Sequence, residues 1–318
     1  VTTPPAALRA DPGTTAVVDA LRSAIVGALR GKEDVVDLAL ACVLAGGHLL
    51  LQDVPGVGKT TLAQALARAL GGTFSRVQFT SDLLPSDLTG TTVLDPKGAS
   101  FAFRRGPIFA NVVLADEINR TTPKTQSALF EAMEERQVSV DGATHPLPRP
   151  FLVVATQNPF DWHGTFPLPE SQLDRFLMRL SIGYPDRGTE RALLRAVRGD
   201  ETADRPPTLA PEAADRLVRD AAAVVVPELV EEYLLDLVRG TRADARFLRG
   251  VSTRGAQALH RAVRARALVQ GRRVAVPEDV RALAVPVLAH RILPRGAAGG
   301  QADADAVLAL VDELPSPL

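Results

Sequence analysis

The sequence predicts an α/β protein: a parallel sheet covered by helices, followed by a second domain that is all-helical. Three observations point there. Short β-rich runs alternate with helical stretches up to residue 184, the texture of a parallel sheet buried on both faces. A Pro/Gly loop of phosphate-binding type stands between one of those strands and a helix. After Tyr184-Pro185 the chain turns rich in Ala, Arg and Leu and loses its strand signals. The division expected is 1–184 for the α/β core and 185–318 for the helical domain.

The elements follow in order. From Gly31 to Leu44, apolar residues at Val35, Val36, Leu38, Ala39, Leu40 and Val43 predict a mostly buried helix. His48 to Gln52 reads as a short strand, and Lys59 to Leu70 as a helix. Further strands are expected at Ser75–Thr80, Asn111–Ala115, Phe151–Thr156 and Leu177–Ile182. Two hairpins interrupt this alternation. One spans Gly90 to Arg105 with its turn at Asp95-Pro96-Lys97-Gly98, and the other spans Gln137 to Pro150 around Asp141-Gly142. Loops at Gly199–Pro211 and Arg295–Gln301 separate helices of the second domain.

Composition narrows the function. The 318 residues are 46% hydrophobic and 23% charged, which excludes general disorder. No apolar run reaches the ~20 residues that span a bilayer. The first eleven residues carry no apolar segment of secretory type, so no signal is expected there. Net charge is −1, which argues against a large constitutive field for nucleic acid or membrane. Cys42 is the single cysteine, so an intramolecular disulfide and a four-Cys zinc site are both excluded. Set in an apolar stretch, it reads as a buried structural thiol, at home in a reducing cytoplasm. The five histidines show no metal-ligand spacing. Only four basic residues are lysine (Lys32, Lys59, Lys97 and Lys124), so a lysine at a critical spot is informative.

One of those four sits in the phosphate loop. The segment Asp53-Val54-Pro55-Gly56-Val57-Gly58-Lys59-Thr60-Thr61 follows a strand and opens a helix. Gly56 and Gly58 allow turns that aim backbone N–H groups inward, and the helix N-terminus adds its dipole. Lys59 would reach the β- and γ-phosphates of a nucleotide, and the Thr60 hydroxyl would ligate Mg²⁺. Pro55, Val57 and Thr61 complete the nucleotide-binding loop. The first position holds Asp53, where G-x-x-x-x-G-K-[ST] has glycine. A Gly-rich turn that merely caps a helix is the plainer alternative.

A second acidic strand supports the nucleotide reading. Val112-Val113-Leu114-Ala115 runs into Asp116-Glu117. Paired carboxylates at a strand end are costly without a bound cation. Asp116 would hold Mg²⁺ through water and Glu117 would polarise an attacking water. By itself such a run is weak, since Asp-Glu is also a common helix cap; after a phosphate loop it points to hydrolysis of a nucleoside triphosphate.

The chain resembles the MoxR-type AAA+ ATPases over nearly its whole length. The words that carry this are Leu51 to Thr60, Phe79-Thr80-Ser81-Asp82-Leu83-Leu84-Pro85-Ser86-Asp87-Leu88-Thr89-Gly90, Gly106-Pro107-Ile108-Phe109-Ala110-Asn111, Leu114 to Arg120, Ala155-Thr156-Gln157-Asn158-Pro159 and Phe166 to Phe176. Asp53 is usual in that family. Gly31-Lys32-Glu33-Asp34 departs slightly from its Gly-Gln-Glu-Glu start, which bears on adenine contacts alone. The resemblance implies an AAA+ P-loop core whose parallel sheet has the order 5-1-4-3-2, with inserted β-hairpins and a C-terminal all-helical lid domain. It also implies a ring, commonly a hexamer, with ATP and Mg²⁺ between subunits.

Further roles follow from the resemblance. Asn158 would position the lytic water, though a turn-forming Asn before Pro159 is the plain alternative. Arg175 would be the arginine finger for the neighbouring site, against a simple surface pair with Asp174. Arg254 follows Ser252 and Thr253, either of which could cap a lid helix. A basic residue at that end opposes the helix dipole and calls for an anion nearby; the second sensor of the family matches this position, in its own subunit or a neighbour. Arg261, Arg264, Arg266, Arg272 and Arg273, with no acids from Thr253 to Val276, read as a solvated basic face, with a partner-binding surface as the alternative. The function implied is ATP-driven, chaperone-like remodelling, assembly or metal insertion in client protein complexes, with von Willebrand factor A domain proteins as partners. A nucleic-acid motor, a magnesium-chelatase-like subunit and a nucleotide-dependent binding scaffold are the alternatives.

Overall fold

The computed structural model describes residues 8–95, 100–158, 164–196, 209–295 and 301–317. The turn expected around Asp95-Pro96-Lys97-Gly98 lies largely outside those residues, as does Pro159. So do most of the loops expected at Gly199–Pro211 and Arg295–Gln301.

Asp11 opens α1 (Pro12–Ala28), its carboxylate accepting from the N–H groups of Gly13 and Thr14. Next come α2 (Glu33–Leu44), β1 (Leu49–Gln52), α3 (Lys59–Ala69), β2 (Phe74–Gln78) and the short α4 (Pro85–Thr89). The first hairpin pairs β3 (Gly90–Asp95) with β4 (Ser100–Arg105). β5 (Val112–Asp116) and α5 (Pro123–Glu135) precede the second hairpin, β6 (Gln137–Val140) and β7 (Ala143–Pro146). The core closes with β8 (Leu152–Gln157), α6 (Glu170–Leu173) and β9 (Met178–Leu180). Every predicted strand and both hairpins are present, with strand ends shifted by a residue or two and the second hairpin closing four residues early, at Pro146.

Five strands form one parallel sheet in the order β2-β5-β8-β1-β9. Renumbered without the hairpins and read from the other edge, this is 5-1-4-3-2. Successive residues explain why the three inner strands, β5, β8 and β1, are largely apolar on both faces. Leu49 and Leu51, Val112 and Leu114, Leu152 and Val154 face one hydrophobic cluster. Leu50, Val113 and Ala115, Val153 and Ala155 face the other. Strand alternation thus feeds two cores, and each fully buried Leu or Val contributes ~1.5–3 kcal/mol.

After β9 come α7 (Arg187–Ala196), α8 (Pro211–Ala222), α9 (Glu228–Ala243), α10 (Thr253–Val269), α11 (Pro277–Leu288) and α12 (Gln301–Glu313). A small antiparallel ribbon, β10 (Phe247–Arg249) with β11 (Leu293–Pro294), and an isolated bridge between Val225 and Val274 add to the helical expectation. Lid residues such as Leu259, Val263 and Leu283 share a cluster with α1, α2 and one face of the sheet. Among the described residues no helix is long and apolar enough to cross a membrane.

The basic stretch is a solvated face only in part: Arg261 and Arg273 are exposed, whereas Arg264, Arg266 and Arg272 are half-buried. Arg266 and Arg272 converge on Asp279, whose side chain is fully buried at the start of α11. Arg272 donates to both its carboxylate oxygens, at 2.8 and 2.7 Å. Arg264 donates to the carbonyl of Ala222. Sequence spacing hid this, because the acid lies beyond the acid-free run.

Candidate functional site

The sheet topology brings the carboxyl ends of β1, β5 and β8 together, the usual place for a ligand in a parallel sheet. A cavity of about 420 Å³ opens there, lined by Pro55, Gly56, Gly58, Lys59, Thr60, Thr61, Arg76, Gln78, Asp116, Glu117, Thr156 and Asn158. A larger open groove of about 1420 Å³ lies between α1, α2 and α10. Asp37 on its wall is already paired with Arg22 and Gln270, and the groove holds none of the phosphate-loop residues.

The loop between β1 and α3 turns through Gly56 at φ +84° and Gly58 at φ +102°, where a side chain would be strained. Those turns leave the N-terminus of α3 facing the cavity. Lys59 Nζ donates to the carbonyls of Asp53 (2.8 Å) and Val54 (3.0 Å), which folds the ammonium along its own loop. Asp53 explains the departure from glycine. Its carboxylate accepts from the N–H of Val54, the hydroxyl of Ser181 and the N–H groups of Ile182 and Gly183. The loop is therefore tied to the chain that leaves β9 towards the lid. Lys32 adds a bond from its Nζ to the Tyr184 carbonyl, 2.8 Å away.

Asp116 and Glu117 stand at the end of β5, held from three sides. Thr156 Oγ1 donates to Asp116 Oδ1 at 2.6 Å and accepts from the Glu117 N–H at 2.9 Å. Arg76 Nη2 pairs with Asp116 Oδ2 at 2.6 Å. Gln78 Nε2 donates to Glu117 Oε2 at 2.8 Å, with Arg120 Nε 3.3 Å from the same oxygen. Glu117 itself adopts φ 57° and ψ 52°, a left-handed conformation rare for a non-glycine residue. Strain of this kind gathers at functional sites. Thr156, Arg76 and Gln78 were not singled out from sequence. Thr156 belonged to a quoted word, and Gln78 lies inside a predicted strand, but no spacing marks either as a partner of the carboxylates.

The residues fit a nucleotide with its cation. The loop offers an ammonium and a helix N-terminus for phosphates, and Thr60 and Asp116 offer hydroxyl and carboxylate oxygens. Among the described residues no cluster of three or more His, Cys, Asp or Glu could hold a metal alone. That donor set suits Mg²⁺, which usually shares its coordination with substrate phosphates.

Arg175 and Arg254 are absent from the lining of this cavity. Both meet at Glu134, near the end of α5. Arg175 Nη2 lies 3.0 Å from Glu134 Oε2, and Arg254 Nη1 lies 3.1 Å from Oε1. Arg175 also stands over the Phe130 ring, 5.8 Å from its centroid. Arg254 Nε lies 3.8 Å from Asp174 Oδ2. The anion that its place at a helix N-terminus called for is thus present, and Ser252 caps that helix through the Gly255 N–H. Cys42 is fully buried, its thiol pushed up to about 12 by desolvation and donating to the His48 carbonyl. Its structural reading holds.

Comparison with known proteins agrees with this fold. Residues 48–178 match a family model described as "ATPase family associated with various cellular activities (AAA)", and residues 239–310 match an AAA lid domain. The uncharacterised protein YeaC of Bacillus subtilis is 48% identical over 83% of this chain and 82% of its own length. Chaperone MoxR1 of Mycobacterium tuberculosis is 40% identical over 88% of this chain and 78% of its own. Protein MoxR of Paracoccus denitrificans is 36% identical over 85% and 86%. The crystal structure of a candidate ATPase from Cytophaga hutchinsonii, 34% identical, superposes with a TM-score of 0.86 over 96% of both chains.

Proposed function

The chain belongs to the MoxR family of AAA+ ATPases, and from that premise we propose that it hydrolyses ATP at subunit interfaces to drive chaperone-like remodelling of client protein complexes. One observation carries the reading. The phosphate loop, Asp116, Glu117 and Asn158 share one cavity, while two arginines suited to phosphate stand together outside it.

Pro55 to Thr61 would cradle the phosphates, with Lys59 exchanging its loop carbonyls for the β- and γ-phosphate oxygens. Thr60 and Asp116 are the residues that would hold Mg²⁺, whose chemistry is to neutralise charge shared by those two phosphates. Glu117 would take a proton from the attacking water as its oxygen bonds to the γ-phosphorus and the bond to ADP breaks. Asn158 orients that water. Arg175 stabilises the charge developing on the transferred phosphoryl group of a neighbouring subunit, and Arg254, sharing Glu134 with it, serves that same neighbour. A ring, by family habit a hexamer, supplies the arrangement.

The core is taken as 1–184 and the lid as 185–318, the cytoplasm as the setting. The chaperone name of the Mycobacterium relative supports client remodelling. Assembly or metal insertion with a von Willebrand factor A domain partner is the finer form of that role. The test separates binding from turnover. Lys59→Ala should lose most ATP affinity, because the phosphates lose their main point charge. Glu117→Gln should bind ATP as the parent does and fall by about 10²-fold or more in turnover. Unchanged ATP affinity in Lys59→Ala, or rapid multiple turnover by Glu117→Gln, overturns the assignment.

A further inference from the structure

Arg291 lies in the lid, just after α11, yet most of its bonds are made to the core. Its side chain is 3% exposed. Nε donates to Asp174 Oδ1 at 2.6 Å. Nη2 donates to the carbonyls of Asp174 (3.1 Å) and Phe176 (2.6 Å), and Nη1 to that of Leu177 (3.2 Å) and to that of Val287 on α11. His290 Nε2 approaches the same Phe176 carbonyl at 3.0 Å. The carbonyls of residues 174 and 176 flank Arg175. A planar guanidinium with five fixed donors holds such a set; an ammonium on a flexible stem does not. The stem is wedged too, since a Cβ on Gly255 would come within 3.0 Å of Arg291 Cδ and 2.6 Å of Val251 Cγ1. The first turn of α10, which carries Arg254, therefore rests against Arg291.

We infer that Arg291 is a positioning residue for the neighbour's reaction: from the lid it fixes the backbone on both sides of Arg175, so that the reach of the finger depends on how the lid of the same subunit is seated. This rests on the reading of Arg175 as a finger acting in trans. A finger is worth on the order of 10³–10⁵ in turnover, and a displacement of about 1 Å can cost ~10²-fold. Arg291 touches neither the cavity of its own subunit nor any group that binds nucleotide there.

The experiment uses full-length chains, alone and in mixed rings. Arg291→Lys keeps the charge and loses the fork. Alone, it should bind ATP with the parent's affinity and hydrolyse it about 10–100-fold more slowly. Mixed with Glu117→Gln, it should recover activity, because interfaces form in which one subunit supplies Glu117 and the other an aligned Arg175. Mixed with Arg175→Ala, it should recover none, because both defects lie on the finger side. General destabilisation would not sort into one complementation group. Should Arg291→Lys fail to fold, Asp174→Asn removes the carboxylate on Nε and carries the same expectations. The control mixture of Arg175→Ala with Glu117→Gln tests the premise alone; no recovery there refutes the trans reading. Recovery in the control, with parental turnover or the opposite complementation group for the tested variant, overturns the role of Arg291.

Discussion

The four donors that meet Asp53 have separate chain addresses: its own neighbour Val54, and Ser181, Ile182 and Gly183 at the exit of β9. Hydrogen bonds to a charged group are worth about 1.5–3 kcal/mol each, and donors left unpaired add their desolvation cost. Asp53→Ala should therefore lower the unfolding free energy by about 2–4 kcal/mol and weaken ATP binding, both measurable on one preparation by urea titration and nucleotide binding. An alanine variant as stable as the parent would show that water replaces the carboxylate. At this scale the sequence was legible where a residue type has few uses. Lys59, Asp116 and Glu117 declared themselves through neighbours along the chain. Arg76, Gln78, Thr156 and Glu134 did not, because their partners lie far away in sequence: the sheet register sets the first three beside theirs, and helix packing sets Glu134 beside Arg175 and Arg254.

Elements were legible wherever apolar periodicity was strong, as in α2, α3 and the sheet strands. α1 was not anticipated, although Asp11-Pro12 is a fair helix start and Val18, Leu21 and Ile25 mark its buried face. Its Thr and Val content weakens helix propensity, and packing on α3 and α2 decides the matter. The join of α10 and α11 was misread for a different reason: the carboxylate that gathers Arg266 and Arg272 caps the following helix, accepting from the Val276 N–H at 2.9 Å. Removing one partner of a buried pair is far costlier than the pair is worth. Asp279→Ala should cost about 3–5 kcal/mol in chemical unfolding, whereas Asp312→Ala, which removes a mostly exposed partner of Arg281, should cost about 0–1 kcal/mol. Equal losses for the two would remove the distinction.

Over the whole molecule, acid should act through two buried imidazoles. His48 joins β8 to the end of α5, its Nδ1 accepting from the Val153 N–H and its Nε2 facing the Met133 carbonyl. Burial pushes it down to about 4, and His290 is likewise lowered by burial and by Arg291. An unfolded chain protonates both near 6.5, so their contribution is complete above that pH and is lost as pH falls towards 4. For His48 this amounts to ~3 kcal/mol. Unfolding free energies at pH 7 and pH 4.5 should differ more in the parent than in His48→Gln. An identical slope in both would clear His48 of the effect.

The place of β1 in the sheet has a consequence for how the chain is made. Leu49 pairs on one side with Val154 and on the other with Met178, so the strand that launches the nucleotide loop waits for partners from much later in the sequence. Contacts so distant along the chain form slowly, and an unpaired strand edge exposed meanwhile invites association. On the ribosome the loop emerges early but lacks its frame until β9 has cleared the exit. Nascent chains ending before Met178 should be protease-sensitive at β1, and nucleotide should protect only those extending past Gly183.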